Sequence, residues 1–369
     1  MNPQEQFCPY WECSARGKVG AGNISLHSQK EGRYRCSECQ RTFSETKGTA
    51  LYGLKKDHDL FVVVIKLVSN GCPVQAIVAA FGLDDETVRA WVRKAGVHCQ
   101  AVHEHFMGHT SLDLGQVQAD EIRVKTQAGV IWMALALMVS TRLWLGGVVG
   151  PHRDSSLIRA LAGQVRQWAL CRPLLLAVDG FAAYLKAFRE AFRTPYAGGR
   201  GGRPRLYQWQ EVALVQVIKR RVHESLTIER RIAQGAADLV ERLIQATQPG
   251  GTINTAFIER LNATFRQRLA CLTRRGRALA RQIQTLEAGM YLLGCTYNFC
   301  AHHKSLRLCL WITERRRHGV QRTPAMAAGL TDHLWSVEEL LTFKRPLSPF
   351  VPPKRRARPP KQIALGVPA

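Results

Sequence analysis

Residues 130–150 read VIWMALALMVSTRLWLGGVVG, and the way this apolar stretch folds decides the architecture of the chain. Its length is about that of a helix that crosses a membrane. The triplet Ser140-Thr141-Arg142 divides it, however, into two runs of strand length, and a charge at the middle of a bilayer is costly. Because both runs are rich in residues that suit strands, we predict a buried β-hairpin rather than a membrane span.

The segments around this hairpin predict a mixed α/β domain. Residues 116–125 alternate as a strand does, and residues 173–178 (PLLLAV) form the short apolar run of a strand that is covered on both faces. Apolar residues recur at helical spacing within 154–170 and within 181–192. The predicted order is strand, strand, strand, helix, strand, helix, which is typical of a mixed sheet with helical layers.

Further along the chain, residues 197–204 (AGGRGGRP) predict a mobile basic loop, and residues 211–218 predict another strand. We expect helices at 229–245, 255–272 and 277–298, a C-terminal helical segment at 301–343, and a basic, proline-rich disordered tail at 344–369.

Composition indicates a globular protein with a polyanionic partner. The 369 residues are 46% hydrophobic, and 52 Lys and Arg against 28 Asp and Glu give a formal net charge of +24. Such an excess favours nucleic acid, because each neutralised phosphate releases condensed counterions. The N-terminus lacks the features of a signal peptide, and an odd number of cysteines, eleven, is typical of a reducing compartment. We therefore expect a cytoplasmic, nucleoid-associated protein that does not bind membranes.

The first fifty residues predict a zinc-ribbon-like module (1–50). Two pairs, Cys8-x4-Cys13 and Cys36-x2-Cys39, have the spacing of a tetrahedral thiolate site for a structural Zn²⁺ ion. A module this small buries too little apolar surface to fold alone, so the metal would supply its folding energy. The alternatives are four unrelated cysteines or a redox pair at Cys36 and Cys39, which would call for an adjoining βαβ pattern that the sequence lacks.

Residues 57–98 predict a three-helix, helix-turn-helix DNA-binding domain, in which glycines separate three segments of helical periodicity. The recognition helix would span residues 85–94 and expose Arg89, Arg93 and Lys94 to base edges or phosphates. An ordinary three-helix packing unit with a charged exterior is the alternative. A histidine-rich connector at 98–109 would follow.

Carboxylates at the ends of predicted strands indicate a divalent-metal site. Asp120 lies in the alternating segment, and Asp179 ends the apolar run; neighbouring strands would deliver both to one edge of the sheet. Glu259 is the third candidate, with Asn262 and Arg266 at i+3 and i+7 on the same helical face. Asp113, Glu121 and Asp154 are rival carboxylates in the same part of the sequence.

Taken together, these segments resemble the DDE transposases of bacterial and archaeal insertion sequences, especially the insertion-sequence-one group. The resemblance spans nearly the whole chain and is carried by these segments: CPYWEC, YRCSECQRTFSETKGT, TVRAWVRKAG, ADEI, AVDG, NTAFIERLNATFRQR, YNFCAHHKSLR and RTPAMAAGL.

The resemblance implies a ribonuclease H-like α/β catalytic core at 113–300, in which Asp120, Asp179 and Glu259 are catalytic and hold two Mg²⁺ (or Mn²⁺) ions. Asn262 and Arg266 would position Glu259 or the DNA backbone, and His303 in the downstream motif is a candidate substrate contact. The implied partners are double-stranded DNA, both the terminal inverted repeats and the target, and further copies of the chain. Two alternatives stay open: an inert DNA-binding regulator derived from a transposase, and a ribonuclease H-like nuclease.

Overall fold

A computed structural model describes residues 2–127, 129–196, 204–222, 225–272, 282–313 and 316–348. The predicted basic loop at 197–204 lies outside the described residues except for Pro204, and the predicted tail does so beyond residue 348. The chain divides into two compact units. One comprises the described residues up to Gly48 with those from Lys344 onward, and the other extends from Thr49 to Phe343.

The first unit is a small antiparallel sheet with order β1-β2-β3. Its strands are β1 (Ile24–Ser28), β2 (Arg33–Cys36) and β3 (Thr42–Ser44). The core of this unit consists largely of cysteines together with the stacked rings of Tyr34 and Phe43. So few apolar side chains cannot stabilise a domain of this size without an additional constraint.

The second unit begins with three helices, as the periodicity predicts: α1 (His58–Ser69), α2 (Val74–Phe81) and α3 (Asp85–Gly108). Gly82 ends α2 in the left-handed conformation, with φ of +60°. The prediction of a connector at 98–109 is wrong, because α3 continues through it. Cys99, Val102 and Met107 continue the buried stripe of α3, so packing rather than local composition extends the helix.

A six-stranded mixed sheet follows, with the order β11-β10-β7-β4-β5-β6. Strands β4, β7 and β10 are parallel to one another, and the other pairs are antiparallel. The elements in chain order are β4 (Gln116–Thr126), β5 (Gly129–Met138), β6 (Trp144–Gly150), α4 (Ser155–Trp168), β7 (Leu174–Val178), α5 (Ala182–Ala191), β8 (Arg193–Tyr196), β9 (Arg205–Gln208), β10 (Val212–Val222) and β11 (Ser225–Gln234).

The decisive apolar stretch is the antiparallel hairpin β5–β6, which confirms the prediction from its Ser-Thr-Arg interruption. Its turn contains Arg142 in the left-handed region, with φ of +60°. Within the part of the chain that the structure describes, none of the helices combines the length and the apolar character needed to cross a bilayer.

Helices cover both faces of the sheet. One face packs on α4 and α5 through a core that includes Ala119, Ala136 and Tyr184. The other face packs on later helices through Ile122 and Leu135. The remaining elements are α6 (Ala237–Thr247), α7 (Ala256–Arg268), α8 (Ile283–Cys295) with a π-helical turn (Thr296–Cys300), β12 (Leu308–Thr313), β13 (Arg316–Val320), α9 (Pro324–Ala327) and α10 (Val337–Thr342).

Two predicted helical segments are partly wrong. The first half of 229–245 lies in β11, which forms a long hairpin with β10, and helix starts only at Ala237. Cross-strand hydrogen bonds thus override a local pattern that suits a helix. Among its described residues, the segment at 301–343 contains the β12–β13 hairpin, two short α-helices and one 3₁₀ turn (Lys304–Leu306). Of the predicted helix at 277–298, the part before residue 282 lies outside the described residues.

Two helical glycines provide a matched test of this packing. A Cβ at Gly294 in α8 would overlap the indole ring of the fully buried Trp144, whereas a Cβ at Gly163 in α4 meets nothing within 4 Å. We expect Gly294→Ala to destabilise the protein by about 1–3 kcal/mol through overpacking. Gly163→Ala is expected to stabilise it by about 0.5–1 kcal/mol through helix propensity. Thermal unfolding midpoints check both, and a shift of the same sign in the two variants would contradict the helical packing.

Candidate metal centres and active-site cleft

The four N-terminal cysteines come together as their spacing predicts. One sulfur atom from each of Cys8, Cys13, Cys36 and Cys39 lies within 4.8 Å of the others, so the group could hold a zinc ion. Cys8 and Cys13 come from the loop before β1, whereas Cys36 ends β2 and Cys39 lies in the following turn. Cys8 Sγ is 3.6 Å from Cys39 Sγ, and Cys13 Sγ is 3.8 Å from Cys36 Sγ.

The thiols of this group are not equivalent. Burial raises the pKa of Cys8 and also that of Cys13. Burial acts in the same direction on Cys36, but the backbone N–H groups of Cys39 and Glu38 and the Asn23 amide outweigh it and lower the pKa of Cys36 to about 7. N–H groups that point at a sulfur stabilise the thiolate, which is the form that binds zinc.

In the second unit, strand register aligns Asp120 with Asp179. Strands β4 and β7 are parallel neighbours, and Gln118 pairs with Ala177. Asp120 and Asp179 each lie two residues beyond this pair along their chains. Both carboxylates therefore reach the same edge of the sheet, as the sequence predicts, and Glu121 joins them: one oxygen from each of the three lies within 4.8 Å of the others.

Asp120 and Glu121 are successive residues of β4, so their side chains leave opposite faces of the sheet. Asp120 accepts a hydrogen bond from Asn262 Nδ2 of α7 at 2.8 Å. Glu121 accepts one from the Tyr184 hydroxyl of α5 at 2.6 Å. Each helical layer thus holds one of the two carboxylates.

Burial and mutual repulsion raise the pKa of two of these acids, Asp120 and Glu121. Burial raises the pKa of Asp120 from 3.8 to about 7, and the charges of Glu121, Asp179 and Glu259 add to the effect. Burial also raises the pKa of Glu121, although Tyr184 and Arg153 oppose the shift. A second cation beside the group would relieve this cost, which is why such clusters suit divalent metals.

Arg153, just before α4, bridges the group on the Glu121 side. Its guanidinium donates to Glu121, and its Nη2 donates to Asp179 Oδ2 at 2.9 Å. It also lies over the ring of Phe181, 4.3 Å from the centroid. The other oxygen of Asp179 accepts the backbone N–H of Phe181 at 2.9 Å, which orients this carboxylate after β7 ends.

Glu259 lies across the cleft from the aspartates, on the first turns of α7. Gln118 Oε1 of β4 accepts the backbone N–H groups of Phe257 and Ile258, both at 3.0 Å, and so docks the start of α7 on the central strand. The Glu259 carboxylate accepts hydrogen bonds from Lys219 of β10 and from Thr255 Oγ1, the latter at 2.6 Å.

The three predicted catalytic carboxylates line one cleft of about 1090 Å³, although Glu259 stays outside the compact acidic group. Arg266, Arg153 and Lys219 line the same cleft. The cleft lining therefore combines carboxylates with cations, a combination that suits both metal ions and phosphate groups.

Two of the three rival carboxylates lie outside the acidic group. Asp154 caps α4 by accepting backbone N–H groups of Ser156 and Leu157, and Asp113 is exposed away from the cleft lining. Glu121 alone belongs to the site. Sequence reasoning missed the partners Arg153, Tyr184 and Lys219, because no local pattern marks side chains that meet across the sheet.

The predicted DNA-contacting residues of α3 are engaged within the protein. Arg89 Nε donates to Asp85 Oδ2 at 2.6 Å, Arg93 pairs with Glu86, and Lys94 donates to a backbone carbonyl. Both ion pairs are partly exposed, and such pairs contribute little stability, so a phosphate can compete for these cations.

The downstream motif divides into structural and surface residues. Asn298 makes two hydrogen bonds of 2.9 Å to the backbone N–H and carbonyl of Trp144, which ties the π-helical turn to β6. His303 packs on the buried Tyr297, with ring centroids 4.6 Å apart. Burial, followed by the charges of Arg142 and Arg268, lowers the pKa of His303 to about 4.

Comparisons with known proteins add no family to this geometry: no protein-family model matches the chain, and no curated protein matches it significantly.

The cysteine cluster generates a prediction about bound zinc. We expect Cys36→Ser to lose most of the zinc that purifies with the protein, because three thiolates bind the ion more weakly and the folding of the module depends on it. The exposed Cys171, remote from the cluster in sequence, provides the control Cys171→Ser. Elemental mass spectrometry of both variants measures the zinc content, and undiminished zinc in Cys36→Ser would rule out this ligand set.

The raised pKa of Asp120 generates a prediction about pH. Because the folded protein holds this proton more tightly than the unfolded chain does, stability is lost as pH rises from about 4 to about 7. Without divalent metal, Asp120→Asn should therefore be more stable than the parent at pH 8, by about 4 kcal/mol, and should lose this advantage near pH 4. Unfolding midpoints in a chelator measure the difference, with exposed Asp113→Asn as the control that should show no such trend.

Proposed function

We propose that this chain is a transposase of an insertion sequence, a DNA-binding enzyme that cleaves element ends and joins them to target DNA with the help of divalent metal. The observation that carries the proposal is the register of β4 and β7, which brings Asp120 and Asp179 to one edge of the sheet while α7 places Glu259 in the same cleft. These are the three residues on which the resemblance to DDE transposases places catalysis.

The architecture supports the proposal. A mixed sheet with the predicted order of strands and helices, covered on both faces, is compatible with the ribonuclease H-like core that the resemblance implies. The cysteine group in front of it is compatible with a zinc-ribbon-like module, and the helices α1–α3 with a helix-turn-helix. The net charge of +24 suits a polyanionic substrate.

The donor set fits divalent ions. Carboxylate oxygens are the ligands that Mg²⁺ and Mn²⁺ prefer, and the three carboxylates that meet at the strand edge carry more negative charge than Arg153 alone offsets. Asp120 and Asp179 would hold ions there, with Glu259 completing the set across the cleft. Bound ions supply activation of the attacking oxygen and stabilisation of the leaving oxygen in an in-line displacement.

The side chains of the chain itself orient the reacting groups. In the proposed first step, water attacks a phosphorus at the element end, the P–O3′ bond breaks, and the strand ends in a 3′-hydroxyl. In the second, this hydroxyl attacks a target phosphodiester and releases a target 3′-hydroxyl. Asn262 fixes the Asp120 carboxylate by its hydrogen bond, and Arg266 in the cleft lining faces the path of the phosphates.

Two cations of the cleft lining, Lys219 and Arg153, would supply positive charge to the phosphate. Lys219 and Arg153 are bound to Glu259 and to Glu121 and Asp179, respectively. When ions neutralise these carboxylates, both cations become available to the phosphate oxygens of the DNA strand. We therefore assign them substrate-positioning roles that depend on metal occupancy.

This proposal predicts a metal-dependent cleavage activity. Purified protein with Mg²⁺ or Mn²⁺ should nick a duplex that carries the terminal repeats flanking its gene. Asp179→Asn and Glu259→Gln should each lower the cleavage rate by at least about a thousandfold, because each removes a ligand while leaving the DNA contacts in place. The exposed Asp113→Asn keeps the same charge change away from the cleft lining and should cleave normally.

Gel assays of nicking and joining, together with binding measurements on the same preparations, separate the alternatives. Specific binding without cleavage by the parent protein would favour an inert regulator. Cleavage of branched or hybrid duplexes without joined products would favour a ribonuclease H-like nuclease. Unchanged joining by Asp179→Asn would refute the site.

A further inference from the structure

A second group of cations lies on α7 beside the cleft. Glu259 and Arg266 face the cleft, whereas Phe257, Arg260 and Arg268 stand at i, i+3 and i+11 and form a neighbouring stripe. With 3.6 residues per turn, Arg260 is about a third of a turn from Glu259, and Arg268 is about half a turn from it. The two faces of one helix thus carry different chemistry.

Arg142 joins this stripe from the turn of the β5–β6 hairpin. Its guanidinium lies over the ring of Phe257, 3.8 Å from the centroid, and also donates to the carbonyl of Val139. Its backbone adopts the left-handed conformation, with φ of +60°, which is unfavourable for an arginine. A strained residue whose side chain is fixed by two contacts is typical of a binding site.

The arginines of this stripe differ from the cleft cations in their partners. Among the described residues, Arg142, Arg260 and Arg268 form no ion pair with a carboxylate, although Arg142 and Arg268 are half-buried. Arg153 and Lys219, which line the cleft, are by contrast paired with carboxylates. Half-burial of guanidinium groups that lack a carboxylate partner is costly, and an anion bound from outside would offset this cost.

The aromatic and imidazole groups beneath the stripe complete the site. Burial raises the pKa of Tyr297. The nearby charges of Arg142, Arg268 and Arg260 oppose this shift. His303 packs against Tyr297 and is half-exposed; the same arginines disfavour its charged form. A neutral imidazole can still donate one hydrogen bond to an anion.

We propose that Arg142, Arg260 and Arg268, with His303, form a second phosphate-binding site that holds the phosphodiester backbone of a DNA strand next to the cleft. The inference rests on the proposed function and specifies where the strand runs beyond the reacting phosphate. A backbone that passes over α7 would meet the cleft stripe first and this stripe next, so bidentate guanidinium contacts would fix its direction.

The test measures the salt dependence of DNA binding. The parent protein and Arg260→Gln/Arg268→Gln bind a labelled mixed-sequence duplex in chelator, where no cleavage occurs, over a series of NaCl concentrations. Since each lost phosphate contact lowers the slope of log K against log salt by about 0.9, we expect the double variant to lower it by about 2. Arg260→Gln alone, at an exposed position, should lower it by about 1.

Two controls make the result specific. Arg159→Gln/Arg172→Gln removes the same charge outside α7, at and after α4, and should leave the slope unchanged. Arg260→Lys/Arg268→Lys keeps the charge and should retain most of the slope. The proposal is overturned if Arg260→Gln/Arg268→Gln binds with the parental slope, or if Arg159→Gln/Arg172→Gln lowers the slope by the same amount.

Cleavage of the same duplex by the parent protein in Mg²⁺ is measured in parallel. Absent cleavage with the expected change in slope would reject the transposase activity while supporting the phosphate site. Cleavage by the parent protein, with no change of slope in the double variant, would support the transposase activity and reject the phosphate site.

Discussion

In the second unit, three carboxylates are held together at one edge of a buried sheet. This arrangement costs free energy, which the surrounding elements must offset. Asp120, Glu121 and Asp179 lie within metal-ligand distance of one another, and burial together with repulsion raises the pKa of Asp120 to about 7. The surrounding elements offset this cost from several directions. Arg153 bridges two of the acids, while Tyr184 and Asn262 each hold one from opposite helical layers.

The same arrangement links fold to chemistry. The central strand β4 contributes Gln118, whose side chain binds the start of α7, and Asp120, whose carboxylate receives a hydrogen bond from the same helix. A single strand thereby fixes the position of Glu259 relative to the aspartates. In the proposed function, the metal ligands and the phosphate-binding groups would thus lie on or next to helices and strands, which favours precise positioning of a substrate strand.

Charge is distributed around α7 in two ways. Toward the cleft, Arg153 and Lys219 are bound to carboxylates; on the adjacent stripe, Arg142, Arg260 and Arg268 form no ion pair with a carboxylate of the described part of the chain. In the proposed function, such a distribution would give a DNA strand a path with a direction, because the unpaired stripe would attract phosphate at all times and the cleft cations only once metal neutralises the acids.

By itself, the sequence determined the hairpin at 130–150, the buried strand β7, the helices around it and the convergence of four cysteines, because periodicity, interruptions and ligand spacing are local properties of a chain. It also pointed to Asp120, Asp179 and Glu259, partly by resemblance. Only the tertiary structure decided that α3 continues through the histidine-rich segment, that β11 is a strand, that Glu121 joins the acids, and that Arg153 and Arg142 meet partners distant in sequence. These features depend on strand order and helix packing, and no local pattern encodes which side chains meet across a sheet.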